Sequence, residues 1–169
     1  MELRNRATGQ VIFESEFRQL YRHEGATGNI GPEYYADRGY DIVFEGPQAT
    51  GGTVYQYSMR QGVEQQADGK WYTKYVLGPI FTDTTAEDGT VTTAAQHEAA
   101  YKAMKDAEQA NSVRADRNKR LADTDWVVIK NLELNQNIPG VWEVYRQALR
   151  DVPAQSGFPW NVTWPVQPE

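Results

Sequence analysis

From Ala94 to Leu121 the chain runs 28 residues without a proline or a glycine, and alanine recurs along the whole stretch. Few conformations other than helix suit such a run, because alanine loses no side-chain freedom in one. Thr93-Ala94-Ala95-Gln96 opens it with a capping-box pattern, in which two side chains reciprocally satisfy backbone N–H groups at the helix start. At 1.5 Å per residue the helix is expected to span about 42 Å. Its apolar stripe is thin and mostly alanine: Ala100, Met104, Ala107, Ala110, Val113 and Leu121. Little area can be buried that way on one monomer, so the helix reads as a connecting strut or as a member of an oligomeric helical assembly. Arg114, Arg117, Lys119 and Arg120 crowd its last turns. The first reading of that cluster is pairing with the helix C-terminal dipole, helped by Glu108 and Asp116. An anionic partner surface is the second.

This helix divides the sequence into a β-rich region at 1–91, a connector at 92–122 and a C-terminal module at 117–169. The expected class is α+β: a small antiparallel N-terminal domain, the long helix, and a C-terminal helical hairpin with an extended Trp/Pro tail. The first region holds eight of the ten tyrosines, with eight basic against thirteen acidic side chains. Residues 3–5 and 10–13 suggest a hairpin turned at Ala7-Thr8-Gly9. Ser15 is a candidate cap for a helix over 16–21 whose Phe17, Leu20 and Tyr21 share a face. Alternation predicts strands over 40–45, 53–60, 63–66 and 71–77, with turns at Gly62 and Ala67-Asp68-Gly69. One face would then carry Tyr55, Tyr57 and Met59 in a row. Covering a small core is the ordinary role of such a row; with Trp71 it is also a candidate host-receptor or glycan-stacking surface.

The absences bear on chemistry. No cysteine is present, which removes disulfides, thiolate metal sites and a cysteine nucleophile. His97-Glu98-Ala99-Ala100-Tyr101 lacks the second histidine of a zinc-protease helix. Gly46-Pro47-Gln48-Ala49-Thr50-Gly51-Gly52-Thr53 lacks the lysine of a phosphate loop, and Asp83-Thr84-Thr85-Ala86-Glu87-Asp88-Gly89 has its glycine one place late for a calcium loop. No carboxylate pair or serine elbow suggests catalysis. The sequence therefore argues against an enzyme and implies no cofactor and no metal. A net charge of −6 disfavours nucleic acid as the main partner. No apolar run approaches the 18 or so residues of a spanning helix, and no signal-peptide core opens the chain.

The last region holds four of the five tryptophans and five of the eight prolines. Asp123 or Asp125 is expected to cap a short turn carrying Trp126. A helix is expected over 139–150, with Val141, Val144, Tyr145, Ala148 and Leu149 as its apolar side. The tail Trp160-Asn161-Val162-Thr163-Trp164-Pro165 should be extended, because proline forbids helix there.

Three blocks in this region resemble a known family. They are Arg117-Asn118-Lys119-Arg120-Leu121-Ala122-Asp123-Thr124-Asp125-Trp126, Tyr145-Arg146-Gln147-Ala148-Leu149-Arg150-Asp151, and Gly157-Phe158-Pro159 with Val162-Thr163-Trp164-Pro165. Together they resemble the C-terminal domain of phage tail assembly chaperone and tail-fibre assembly proteins. The resemblance implies non-enzymatic work in the host cytoplasm during assembly, or a place in the virion tail, through contact with other tail, fibre or baseplate proteins. A homo-oligomer through the long helix is a further partner. The expected anchors are Trp126, Tyr145, Leu149, Phe158, Trp160 and Trp164, with Arg146, Arg150 and Asp151 for polar orientation. Trp164→Ala is expected to weaken partner capture by about 2 kcal/mol or more.

Overall fold

The computed structural model describes residues 1–26 and 28–169. It is α+β, in two compact units, Met1–Ile80 and Phe81–Glu169. In the first unit β1 (Glu2–Asn5) and β2 (Val11–Phe13) form the expected hairpin, with Leu3 opposite Ile12. Asn5 builds the turn: its Oδ1 accepts the Ala7 and Thr8 N–H groups, and its backbone bonds Gly9 and Gln10. Helix α1 (Glu14–Leu20) follows directly. It starts two residues earlier than expected, and Ser15 is not its cap. Phe13 holds the cap position, and its N–H is satisfied by Glu16 Oε2 at 2.8 Å, which is one half of a capping box. Helix α2 (Pro32–Asp37) leads into β3 (Tyr40–Phe44).

Strands β4 (Tyr57–Gln65) and β5 (Trp71–Gly78) complete a five-stranded sheet in the order β2-β1-β3-β5-β4. All pairings are antiparallel except β3 with β5, where Val43 and Phe44 lie beside Trp71 and Tyr72. The two strands expected at 53–60 and 63–66 are one. Gly62 does not reverse the chain; it sits at φ +78° in a bulge between Arg60 and Val63, and both flanks pair with β5. The turn expected at Ala67-Asp68-Gly69 does form, with the Gln66 N–H donating to the Lys70 carbonyl.

The core of this unit is aromatic. Leu3, Phe17, Tyr35 and Tyr40 are buried, and the Phe17 ring lies 4.6 Å from Tyr21, 5.0 Å from Tyr35 and 5.1 Å from Tyr40. Leu20, expected on the same face, points to solvent. Edge-to-face geometry around one phenylalanine is the arrangement that ring quadrupoles favour. At the rim, Glu14 Oε1 accepts from Arg18 at 2.6 and 2.8 Å and from the Tyr35 hydroxyl at 2.9 Å. The guanidinium first, and the phenol second, hold the Glu14 carboxyl below its ordinary value.

In the second unit, β6 (Thr84–Thr85) and β7 (Val91–Thr92) make a small hairpin whose acidic turn is closed by Asp88 accepting the Thr90 N–H at 2.9 Å. Helix α3 (Ala94–Ala122) begins at the expected box: Thr93 N–H donates to Gln96 Oε1 at 2.8 Å, and Gln96 N–H to Thr93 Oγ1 at 3.3 Å. Asp83 adds a second acceptor, bonding the Ala94 N–H at 2.7 Å. Of the α3 stripe only Ala110 and Val113 are fully buried; Ala100, Met104 and Ala107 are exposed. Helices α4 (Asp125–Glu133) and α5 (Gly140–Asp151) follow. Among the described residues no helix is long and apolar enough to cross a membrane.

The Glu14 contacts yield a pH dependence. A carboxyl held down in the fold contributes stability above its ordinary value and loses it as pH falls through the folded one. Glu14→Gln should cost about 0.5–1 kcal/mol at pH 7, since the site is part-exposed. The gap to wild type should narrow as pH falls below the ordinary carboxylate range, as the folded carboxyl takes up its proton. Urea midpoints followed across that range test this, and a gap independent of pH refutes it.

Candidate functional site

Residues 121–146 are organised by one guanidinium. Arg146 lies on the inner face of α5 and donates from Nη1 to the Leu121 carbonyl at 2.9 Å and to Thr124 Oγ1 at 2.6 Å. Its Nη2 donates to Asp125 Oδ1 at 2.8 Å. The Thr124 hydroxyl passes its own proton to the Leu121 carbonyl at 2.9 Å. One side chain thereby ties the last turn of α3, through a carbonyl that the Thr124 N–H and hydroxyl also reach, to the start of α4. The Asp123 or Asp125 cap does not form: Thr124 holds the cap position, and Asp125 is spent on Arg146.

Beneath this clasp Val127, Trp142, Tyr145 and Leu149 form a core, with Leu121, Ile138 and Trp164 packed against it. The inner face of α5 is Trp142, Tyr145, Arg146 and Leu149, at i, i+3, i+4, i+7 spacing. That is rotated from the expected side. Tyr145 and Leu149 do face in, but Val141 and Val144 are exposed, because Trp142 covers more core than either valine. The short turn expected around Trp126 is a nine-residue helix with five apolar side chains. Val127 faces the core, while Trp126, Ile129 and Leu132 stand 54%, 55% and 77% exposed at three-residue intervals. Only the edge of Trp126 is supported, by the Trp142 ring at 5.9 Å.

The tail returns along α3. Arg114 lies over the Phe158 ring at 5.2 Å and Arg120 over Trp164 at 4.5 Å. The Trp160 indole donates to Asp106, and Gln155 exchanges two bonds with the Thr163 backbone at 2.7 and 2.8 Å. Gly157 is required in this turn, since a Cβ there would meet the Asn161 carbonyl oxygen at 2.0 Å. The basic cluster at the end of α3 is used internally as well: Arg120 pairs with Asp116, Arg114 with Phe158, and Arg117 donates to Asn118.

The nine expected contact residues thus separate by depth. Tyr145, Arg146 and Leu149 are buried and offer no surface to a partner; they hold the module together. Phe158, Trp160 and Trp164 are half-buried against their own chain. Trp164→Ala would consequently strip a ring from the core and act through stability. Trp126, Arg150 and Asp151 remain exposed. Sequence reasoning missed Ile129 and Leu132 because α4 was read as a turn. The signal was present in the unbroken apolar run Trp126-Val127-Val128-Ile129.

In the first unit, the aromatic row does not assemble. Tyr55 lies in the turn before β4, Tyr57 pairs with Gly78, and Trp71 pairs with Gln65 at the opposite end of β5. Seven residues of strand put Tyr57 and Trp71 roughly 23 Å apart. The Arg4 guanidinium, 3.7 Å from the Trp71 centroid, also occupies that ring's face. Among the described residues no group of three or more acidic or imidazole side chains converges on a possible metal position.

The clasp carries a direct test. Arg146→Ala should cost about 2–3 kcal/mol, since it removes the charge-assisted bonds to the Leu121 carbonyl, Thr124 and Asp125 together with the buried stem of the side chain. Arg146→Lys should recover less than half of that, because one ammonium cannot fork to three acceptors. Urea unfolding followed by tryptophan fluorescence measures both; a lysine variant as stable as wild type contradicts the account.

No curated protein and no solved structure matches this chain. A family model does, over residues 110–169, and its description is phage tail assembly chaperone protein. The matched segment takes in the end of α3, the Arg146 clasp, α4, α5 and the tail, and the match supports a role for this module in phage tail assembly.

Proposed function

We propose that this chain is a non-enzymatic bacteriophage tail protein that works through protein–protein contact in tail, tail-fibre or baseplate assembly, in the host cytoplasm. The observation that carries the reading is the stripe of Trp126, Ile129 and Leu132 on α4. Large apolar side chains more than half exposed at three positions of a nine-residue helix add little to their own module's core. Tryptophan is also the residue most enriched among the side chains that dominate interface energy. The Arg146 clasp supports the same reading, because it ties the start of α4 to α5 while leaving that face uncovered. Retention in the particle would make the chain a virion component; release would make it an assembly factor. Mass spectrometry of purified particles separates the two.

The α4 surface is tested by Trp126→Asp combined with Ile129→Asp. Both positions are exposed, so circular dichroism and the urea midpoint should stay near wild type. The number of complete tails counted by electron microscopy should fall about 10-fold or more, as loss of about 2 kcal/mol or more of contact energy requires. Tails at wild-type numbers would overturn the proposal.

A further inference from the structure

In the Met1–Ile80 unit the sheet has an internal notch. Strand β3 pairs with β1 from Tyr40 to Val43, but its first pair with β5 is Val43 with Trp71. Tyr40, Asp41 and Ile42 therefore have a strand on one side only. The chain that would continue β5 alongside them is turned into the hairpin at Asp68 and Gly69, and among the described residues that turn makes no backbone bond to them. A cleft of about 230 Å³ opens there, walled by Pro32 and Ala36 of α2 and by Ile42 and Phe44 of β3. Two cations also line it. Arg6 is held at the Tyr40 end by the Ala36 carbonyl at 3.2 Å and by Asp41 at 2.8 Å, and the Lys70 ammonium stands 5.4 Å from the Phe44 ring. Asp41 also faces Arg4 at 3.9 Å, and Asp68 faces Lys70 at 3.9 Å. Three cations thus meet two carboxylates, in a chain whose net charge is −6.

We propose that this notch takes an extended acidic segment of a partner protein, which adds a short strand beside Tyr40–Ile42 and sets a carboxylate between Arg6 and Lys70. The backbone argues for an extended occupant. Alternate peptide groups of β3 point away from β1, and a strand is the conformation that meets them at their own spacing. The charges argue for its chemistry. Arg6 is tied to Asp41 and Lys70 lies by Phe44, positions about 10 Å apart along the strand, which is the reach of a three-residue segment. A carboxylate on that segment meets both cations, whereas a basic side chain there is repelled by both. The cleft is smaller than the roughly 300–1,000 Å³ of pockets that enclose small molecules, so it suits one or two side chains of a passing chain. A three-residue pairing buries far less than the roughly 1,200–2,000 Å² of a stable interface, which makes the contact weak and reversible. The site goes beyond the α4 reading, since it lies in the other unit and outside residues 110–169.

Titrating the isotope-labelled full chain with the end-blocked peptide Thr-Val-Asp-Val-Thr, followed by amide NMR shifts, tests this. The Tyr40, Ile42 and Lys70 amides should move. The peptide should bind about 10-fold tighter than Thr-Val-Lys-Val-Thr. N-methylating its three central residues removes strand donors while keeping the charge, and should weaken binding about 10-fold. Lys70 is exposed, so Lys70→Glu should leave the rest of the spectrum unchanged while abolishing the preference for Asp over Lys. No shift with either peptide, shifts confined to other residues, equal affinities, indifference to N-methylation, or a preference that survives Lys70→Glu each overturn the proposal. A chain that sediments as a dimer, and that Lys70→Glu makes monomeric, also overturns it by making the notch a self-interface. Failure on any of these counts leaves the α4 reading standing, because that reading is decided by tail numbers in the Trp126→Asp, Ile129→Asp protein.

Discussion

The C-terminal module depends on a single buried guanidinium. Arg146 sits where α3 ends and α4 begins, and its three bonds fall on a carbonyl, a hydroxyl and a carboxylate within five residues of one another. The backbone itself marks the break, with the Asp123 N–H on the Lys119 carbonyl and the Thr124 N–H on the Leu121 carbonyl, and Arg146 ties that break to α5 above a core of four buried residues. A small core of this kind supplies little stability of its own. The fork geometry of arginine makes up part of the difference by specifying direction as well as energy.

From that junction outward, the module is arranged so that burial and display occupy opposite sides of the same helices. Trp142, Tyr145 and Leu149 face in from α5 and Val127 from α4, while Trp126, Ile129, Leu132, Val141 and Val144 face out. The outward set adds little to the monomer's core beyond the edge contact of Trp126 with Trp142. The tail is different: its rings are stacked beneath Arg114 and Arg120 and tied to Asp106, so the aromatic richness of the last residues serves mainly to close the module on itself.

Much of this was legible in the sequence, and what was not has physical reasons. Thr93 and Gln96 announced the start of α3, because a capping box is local chemistry that needs no tertiary partner. The α+β class and the β1–β2 hairpin were readable on the same grounds. Gly62 was misread because a left-handed glycine serves a bulge as well as a turn, and only strand pairing tells them apart. On α5 the valines counted as core and the arginine as surface, yet the helix buries Arg146 and exposes Val144. Hydropathy cannot foresee that a cation will be matched by the loose end of another helix. The α4 stripe is hard to read for a related reason: the break before it carries neither glycine nor proline, and Thr124 at its start is held by a residue more than twenty positions away.

The bulge on β4 has a bearing beyond local geometry. That strand is nine residues long and lies at the free margin of its sheet, where a regular row of unbonded peptide groups would invite like strands from neighbouring molecules. Gly62 interrupts the row midway, and Arg60 and Glu64 put charge on either side of the interruption. The bulge and these charges together disfavour edge-to-edge pairing of β4 with the same strand of another copy.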